Sequence, residues 1–268
     1  MERTSPDDID DLKAADAKDV HRAVREEGEK ELARSAASLL WSGFAAGIAI
    51  NASLVAMAIL HAALPDTPVR PLIVALGYPI GFLIVVLGRM QFFTESTVTA
   101  MLPLAHRPSW QGARRTMRLW GLVLVANLLG TLLTTGALLH LGLVAPEVRE
   151  ALPALAESML AKDAMHTFLI AIPAGFLIAS VAWVLPNGRE QAFLVIVAIT
   201  WLVGAAGFAH SVVGSAKAWV LAWEGMLPWT DALFAEIMPA VAGNLIGGAG
   251  LFTLLAHGQV QGEPGDEG

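Results

Sequence analysis

The chain has 268 residues, of which 55% are hydrophobic and 15% are charged, and its formal net charge at pH 7 is -7. Together with a mean hydropathy of +0.60, this composition is typical of a polytopic membrane protein and excludes a soluble globular domain. The acidic balance argues against a nucleic-acid partner, and the absence of cysteine excludes disulfides and thiolate metal sites.

Both ends of the chain are polar. Residues 1 to about 34 are rich in Asp, Glu, Lys and Arg, which predicts a partly helical segment in water. A cleavable signal peptide is not expected, because the first apolar stretch begins far from the start. We therefore expect a polar cytoplasmic tail over residues 1–37, a six-span transmembrane domain over 38–257 and an acidic cytoplasmic tail over 258–268.

Apolar length predicts six transmembrane spans, at roughly 20 residues per helical span. We place them at 39–64, 71–88 with a continuation at 98–105, 117–144, 164–185, 191–208 with a continuation to 223, and 232–257. Basic residues are concentrated in the amino-terminal segment and after the second span, whereas the loops on the opposite side carry only Arg70, Arg149, Lys162 and Lys217. The positive-inside rule then predicts a multi-pass protein of the cell's inner (plasma) membrane with both termini in the cytoplasm.

Two of the predicted spans are interrupted. The second breaks within VVLGRMQFFTEST (85–97), where polar residues follow Gly88, and the fifth breaks within GFAHSVVGSAK (207–217). Because unpaired backbone amides are costly in hydrocarbon, a break at this depth is tolerated only where protein or a water-filled cavity satisfies it. The two breaks therefore predict a pathway lined by both, the alternative being that each is a kink or a misplaced span boundary.

A short internal repeat relates the two halves of the chain. VANLLG (125–130) resembles AGNLIG (242–247), and these segments carry the repeat residues Asn127, Gly130, Asn244 and Gly247. The same separation relates Phe93-Thr94 in the first break to His210-Ser211 in the second. Since three spans per half is an odd number, the halves must enter the membrane from opposite faces, which predicts an inverted repeat.

Four stretches together resemble one known family. FFTESTVTAMLP after the second span, MHTFLIAIPAGFL at the fourth, GFAHSVV at the second break and GNLIGG in the last span resemble the formate/nitrite transporter family over about residues 38–257. The resemblance implies an all-α membrane protein with six transmembrane helices in an aquaporin-like inverted repeat, helices 2 and 5 being broken. It also implies a homopentamer with one pore per protomer, which moves small monovalent anions such as formate or nitrite, often with a proton.

Single positions match the family's pore. The central pore histidine matches His210, which could exchange a proton with a passing carboxylate and turn the anion into a neutral acid. The alternative for a lone membrane histidine is a structural hydrogen bond between helices. The resemblance implies further pore positions, including an apolar constriction on each break, at Phe92, Phe93, Thr94, Val203 and Ser211.

Charged residues are expected in the vestibules on either side of the pore. Where the family commonly has a lysine before the fourth span, this chain has Asp163 with Lys162 beside it, and His166 follows in the motif. Arg89 and Glu95 would each cost at least about 2.5 kcal/mol in hydrocarbon, so we expect them to pair with each other or to line the vestibule. These departures leave open which anion is carried.

Two other function classes were weighed against anion transport. An aquaporin-like channel for small neutral solutes fits the architecture, but the Asn-Pro-Ala pair is missing from both breaks. An intramembrane enzyme using His210 with Ser211 or Ser42 would need a nucleophile motif that the sequence lacks. No enzymatic activity, metal site or cofactor is therefore expected, and the expected partners are the anion, the lipid bilayer and further copies of the chain.

Overall fold

The computed structural model describes residues 16–261, and every regular element within that range is a helix. Among the described residues, five helices are long and apolar enough to cross a membrane, namely Ala36–Ala63, Arg70–Leu87, Trp110–His140, Ala164–Val184 and Trp229–Val260. A shorter apolar helix is Ala192–Ala205. The expectation of an all-α membrane protein is therefore confirmed. Residues 1–15 and 262–268, which belong to the two predicted polar tails, lie outside the described part of the chain.

The first half of the chain runs to the end of a long helix at His140. Its helices are α1 (Ala17–Leu32), α2 (Ala36–Ala49), α3 (Asn51–Ala63), α4 (Arg70–Val74), α5 (Tyr78–Leu87), α6 (Ser96–Thr99), α7 (Met101–His106) and α8 (Trp110–His140). α2 and α3 follow one another through Ile50, and a 3-10 turn at Ala75–Gly77 joins α4 to α5. Residues 88–95, between α5 and α6, are not helical.

The second half has a similar arrangement, preceded by an additional helix. Its helices are α9 (Pro146–Ala156), α10 (Ala164–Val184), α11 (Ala192–Ala205), α12 (Ser211–Trp223), α13 (Trp229–Asp231), α14 (Met238–Leu245) and α15 (Thr253–Gln261). Residues 206–210, between α11 and α12, are not helical, and two π-helical segments, Ala232–Ile237 and Ile246–Phe252, connect α13, α14 and α15. The sequence analysis did not predict α9, which falls between the third and fourth predicted spans.

Glycines let helices approach closely at corresponding places in the two halves. A Cβ atom added to Gly47 on α2 would lie 2.3 Å from the backbone oxygen of Asn127 on α8. One added to Gly175 on α10 would lie 2.3 Å from the backbone oxygen of Asn244 on α14. Small residues at such crossings bring backbones into contact, which is a common way for helices to associate in membranes. The two crossings carry the asparagines that hold the site described below.

Helix α1 is docked on the membrane domain although its sequence is highly charged. Its apolar Val20 and Val24 are buried in a cluster with Val98 and Leu102 of the first half. A Cβ atom added to Gly28 would lie 1.8 Å from the backbone oxygen of Thr99, so the helix backbone itself makes the contact. The predicted partly helical segment therefore contains a helix whose inner face packs against the rest of the protein.

The carboxylate of Glu31 attaches α1 to the first interruption. Its Oε1 accepts a hydrogen bond from Gln91 Nε2 at 2.9 Å, and its Oε2 accepts one from Thr99 Oγ1 at 2.5 Å. Burial raises the pKa of Glu31 above its ordinary value, and the two hydrogen bonds act in the opposite direction. α1 is thus tied to one residue within the break and to one in the helix that follows it.

Helix α1 also contacts the last helix, α15, through two histidines. His21 Nε2 lies 3.3 Å from His257 Nδ1, and the His21 ring packs edge-on against Trp183. Burial, and secondarily the neighbouring His257, Arg25 and His106, lowers the pKa of His21 to about 4. The contact brings α1 and α15 to the same face of the molecule.

Protonation of His21 is expected to weaken the docking of α1, whereas protonation of Glu31, whose pKa is raised in the docked state, acts in the opposite direction. A released His21 has its ordinary pKa of 6.5, so the docked state, which keeps the ring neutral, loses stability as the pH falls from 6.5 towards about 4. The amide protection factors of α1, measured by hydrogen exchange, should therefore include a fall over this range that depends on His21. In His21→Phe, which keeps a ring against Trp183 but cannot be protonated, the fall should be smaller, and an equal fall in both proteins would contradict the role of His21.

Candidate functional site

The two non-helical interruptions have the same backbone geometry. In the first, the N–H of Met90 donates to the carbonyl five residues earlier at 3.0 Å, and Arg89 has a φ of 50°. In the second, the N–H of Phe208 donates to the carbonyl five residues earlier at 3.1 Å, and Gly207 has a φ of 67°. Both are helix ends closed by a residue in the left-handed region. Among the described residues, Arg89 is the only non-glycine with a positive φ.

The side chain of Asn127 on α8 holds the first interruption. Its Oδ1 accepts a hydrogen bond from Phe93 N–H at 3.0 Å, and its Nδ2 donates to the carbonyls of Gln91 at 3.0 Å and Gly43 at 2.7 Å. Asn127 is fully buried. One amide side chain therefore pairs with two backbone groups of the interruption that have no helical partners, and links them to α2.

The side chain of Asn244 on α14 holds the second interruption in the same way. Its Oδ1 accepts a hydrogen bond from Ser211 N–H at 2.8 Å, and its Nδ2 donates to the carbonyls of Ala209 at 3.0 Å and Ala171 at 2.8 Å. We refer to these two arrangements as the asparagine clamps. They explain how non-helical backbone can lie within an apolar chain without exposing its polar groups to lipid.

The clamps define which residues of the two interruptions correspond. In each, one residue lies between the two clamped backbone groups, namely Phe92 in the first and His210 in the second. The sequence repeat had instead related Phe93 to His210, so the structure shifts this correspondence by one residue. The two corresponding rings stack on one another, with centroids 5.4 Å apart and an interplanar angle of 15°.

His210 joins the two interruptions directly. It is 1% exposed, and its Nε2 lies 2.8 Å from Thr94 Oγ1. Its Nδ1 accepts a hydrogen bond from Val213 N–H at 3.2 Å, in the first turn of α12. Because Nδ1 is the acceptor, the proton of a neutral ring lies on Nε2, which then donates to the Thr94 hydroxyl. The hydrogen bond fixes the imidazole at the point where the two breaks meet.

Two phenylalanines close the space beside His210. Phe82 on α5 lies edge-on to both His210, at 5.2 Å between ring centroids, and Phe92, at 5.6 Å. Phe82 and Phe92 are each 1% exposed. The three rings form an aromatic cluster, which we call the aromatic barrier. The sequence analysis missed Phe82, because a phenylalanine in a continuous apolar run carries no signal that separates it from packing.

A cavity lies on each side of the aromatic barrier. The larger, of about 90 Å³, is lined by His210 and Ser211 and lies beside the loop that carries Lys162. The smaller, of about 10 Å³, is lined by Phe82, Phe92, Glu95 and apolar residues of α10 and α11. No residue lines both cavities: His210 lines the larger, whereas Phe82 and Phe92 line the smaller. The rings of the aromatic barrier therefore lie between the two cavities.

The large cavity contains charged groups that the sequence analysis did not assign to the pathway. They are Lys217 on α12 and Glu236 in the π-helical segment before α14. The charge count had assigned Lys217 to a loop, which was wrong, because it lies within the helix Ser211–Trp223. Lys217 lies in an apolar run, seven residues after His210, and this position could have indicated from the sequence that it lies beside the same cavity.

The remaining predicted site residues lie at different depths. Ser211 lines the large cavity, as does Lys162, whereas Asp163 caps α10 by accepting a hydrogen bond from His166 N–H at 2.7 Å. The side chain of His166 is exposed. Three predicted pore residues are buried but line neither cavity, namely Phe93, Thr94 and Val203.

Arg89 and Glu95 do not pair with each other. Arg89 Nη2 lies 3.1 Å from Glu27 Oε1 on α1, and this ion pair is largely exposed. Glu95 lines the small cavity. In the described part of the chain, no group of three or more metal-ligating side chains comes together.

Comparison with known sequences gives an independent view of this site. A model of the formate/nitrite transporter family matches residues 18–258. The chain is 38% identical over 242 residues to the inner membrane protein YfdC of Escherichia coli (strain K12), covering 90% of this chain and 78% of that protein. It is 26% identical over 250 residues to the uncharacterized transporter YrhG of Bacillus subtilis (strain 168), covering 89% of this chain and 92% of that protein.

Solved structures share the fold. A pentameric formate channel with formate bound aligns with a TM-score of 0.71 at 18% identity, covering 85% of this chain and 98% of that chain. An FNT family ion channel aligns with a TM-score of 0.77 at 16% identity, covering 92% of this chain and 100% of that chain. The family match extends over both interruptions, both clamps and the histidine between them, and the chain therefore belongs to the formate/nitrite transporter family.

Proposed function

We propose that this protein carries small monovalent anions such as formate or nitrite across the membrane through a pathway within each subunit, with His210 at its centre. The observation that carries the proposal is the hydrogen bond between Thr94 and His210, which joins the two interruptions between two cavities. Membership of a transporter family and the likeness to a formate channel support it.

The architecture we propose is an inverted repeat of six spans in which the second and fifth are broken, as in aquaporins. Each broken span consists of a helix, an interruption and a shorter helical part, so that α5 continues as α6 and α7, and α11 continues as α12. The matched helix ends and the matched asparagine clamps support this symmetry. Interruptions that meet near the midplane are the usual position of a binding site in such repeats.

We further propose a homopentamer in the inner (plasma) membrane with both termini in the cytoplasm. The pentameric formate channel supports this assembly, because it has the same fold. The basic residues of the amino-terminal segment support the orientation. The contact of His21 with His257 is consistent with it, because α1 and α15 then lie on one side.

His210 would act as a proton donor within a barrier that excludes hydrated ions. Small hydrophobic constrictions block ions because the ions must give up their water. When its imidazole is protonated, His210 can transfer a proton to a bound carboxylate, which leaves a neutral ring and a neutral acid. The neutral acid crosses apolar surroundings at much lower energetic cost than the anion does. Thr94 would hold the ring in the orientation that this transfer needs.

Uptake into proteoliposomes tests the proposal. Labelled formate should enter vesicles that contain the wild-type protein, with a rate that depends on pH, and glycerol should not enter. In His210→Ala the rate of formate uptake should change by about tenfold or more, equivalent to about 1.4 kcal/mol, and lose its pH dependence. His140→Ala, which removes an exposed histidine that lies edge-on to Trp223, is the matched control. Uptake of glycerol without formate would instead favour a neutral-solute channel.

A further inference from the structure

One face of α12 lines the large cavity along its length. The cavity-lining positions are His210, Ser211, Val213, Gly214 and Lys217, which recur at the spacing of a single helix face. A Cβ atom added to Gly214 would meet no other atom within 4 Å, so the middle of this face borders open space. The face therefore connects the histidine at the barrier with a lysine further out.

Among the described residues, no counter-charge is in contact with the ammonium group of Lys217. No hydrogen bond or ion pair joins it to another residue in the described chain, although its helix is otherwise apolar and buried. A lysine within a transmembrane helix is costly unless it faces water or an anion. Because side chains in helices lean towards the amino-terminal end, Lys217 is directed back towards Ser211 and His210.

The hydroxyl of Ser211 is the second unsatisfied group of this cavity. Ser211 is 0% exposed and lines the cavity, yet its Oγ has no hydrogen-bond partner within the described part of the chain. A buried hydroxyl without a partner costs about 1–3 kcal/mol, so such groups normally have a function or a missing ligand. The missing partner here would lie in the cavity, between the imidazole and the lysine.

Glu236 supplies the opposing charge. It is 5% exposed, lines the same cavity and has its Oε2 within 3.4 Å of the Thr167 hydroxyl. Together with the half-buried Lys162, the charged side chains of the cavity are two ammonium groups and one carboxylate. A monoanion would bring this set to neutrality, whereas a neutral solute would leave the excess positive charge uncompensated.

We propose that Lys217, Ser211 and Glu236 form an anion-binding station in the large cavity, in which a small monoanion is held before it reaches His210. Lys217 binds the charge, Ser211 donates its hydroxyl hydrogen bond, and Glu236 limits how long the anion stays. A pathway works only if binding is strong enough for the ion to enter and weak enough for it to leave. The cavity of about 90 Å³ restricts the ligand to an ion of a few heavy atoms. The role in transport rests on the proposed function, whereas the binding does not.

Binding of formate to the full-length protein in nanodiscs tests the station. The unfolding temperature is titrated with sodium formate at constant ionic strength, because a ligand of the folded state raises it by mass action. The dissociation constant should rise about tenfold or more in Lys217→Met and stay within roughly threefold of wild type in Lys217→Arg. It should fall severalfold in Glu236→Gln. Lys30→Met, which removes an exposed lysine of α1, should leave formate binding unchanged.

Ser211→Ala provides a second variant if Lys217→Met does not fold. Loss of one hydroxyl donor should raise the dissociation constant of formate about three- to tenfold. Formate binding that is unchanged in either folded variant would overturn the station. If wild type binds formate through Lys217 but does not carry it into vesicles, the proposed function fails and the station stands. If the wild-type protein carries formate into vesicles but its dissociation constant for formate is unchanged by substitutions at Lys217 and Ser211, the anion-binding station is wrong and the proposed function stands.

Discussion

Replacing Asn244 by alanine is expected to destabilise the folded protein by about 3 kcal/mol or more. The substitution leaves two backbone groups of the interruption without a partner, the N–H of Ser211 and the carbonyl of Ala209, and removes the link to the Ala171 carbonyl on α10. Each buried polar group that loses its partner costs about 1–3 kcal/mol. The free energy of unfolding in detergent micelles measures the loss, and hydrogen exchange at Ser211 should show that the second interruption opens.

The asparagine clamps supply the controls for this prediction. Asn127→Ala should cause a loss of similar size, because Asn127 makes the corresponding three hydrogen bonds in the first half. Asn51→Ala should cost much less, since this equally buried asparagine donates mainly to the carbonyl of Gly47 in the preceding helix turn. Equal losses in Asn51→Ala and Asn244→Ala would contradict the role of the clamps.

Replacing Phe82 by alanine is expected to make the pathway less selective for size. Phe82 contributes one of the three rings of the aromatic barrier, and its removal opens space beside His210. The ratio of acetate to formate uptake in proteoliposomes should therefore rise severalfold, because the larger ion gains most from a wider barrier. The substitution should also cost about 3–5 kcal/mol of stability, as usual for a buried phenylalanine.

Phe93→Ala separates selectivity from stability. Phe93 is buried to the same extent as Phe82, but it lines neither cavity. Its removal should destabilise the protein by a similar amount and leave the uptake ratio unchanged. A rise in the ratio for Phe93→Ala without one for Phe82→Ala would contradict the role of Phe82 in the barrier.

The sequence carried strong signals for some features of the site. Polar residues such as Arg89 and Glu95 within an apolar run cannot be placed in lipid, so the first break could be recognised from energetic cost alone. The asparagines were found because each lies in a repeated Gly-containing segment. His210 was found because it stands alone in an apolar segment and matches a family motif.

Other features depend on tertiary contacts and could not be recognised from a pattern in the sequence. The sequence repeat related His210 to Phe93, whereas the structure relates it to Phe92. Two adjacent phenylalanines look alike in the sequence, and only the asparagine clamps fix the correspondence. The docking of α1 was missed for a similar reason. Two valines and a glycine provide the inner face of this helix, and its charged residues pair with residues of the break. The average composition of the segment does not reveal these contacts.

The asparagine clamps also bear on how the chain is inserted during synthesis. Each interruption is closed by an asparagine from the last span of its own half, Asn127 for residues 88–95 and Asn244 for residues 206–210. While the nascent chain emerges, the polar backbone of the first interruption stays without these partners until α8 has entered the bilayer. The insertion machinery would thus have to shelter three spans at a time, and the protein would be released into lipid as two consecutive units.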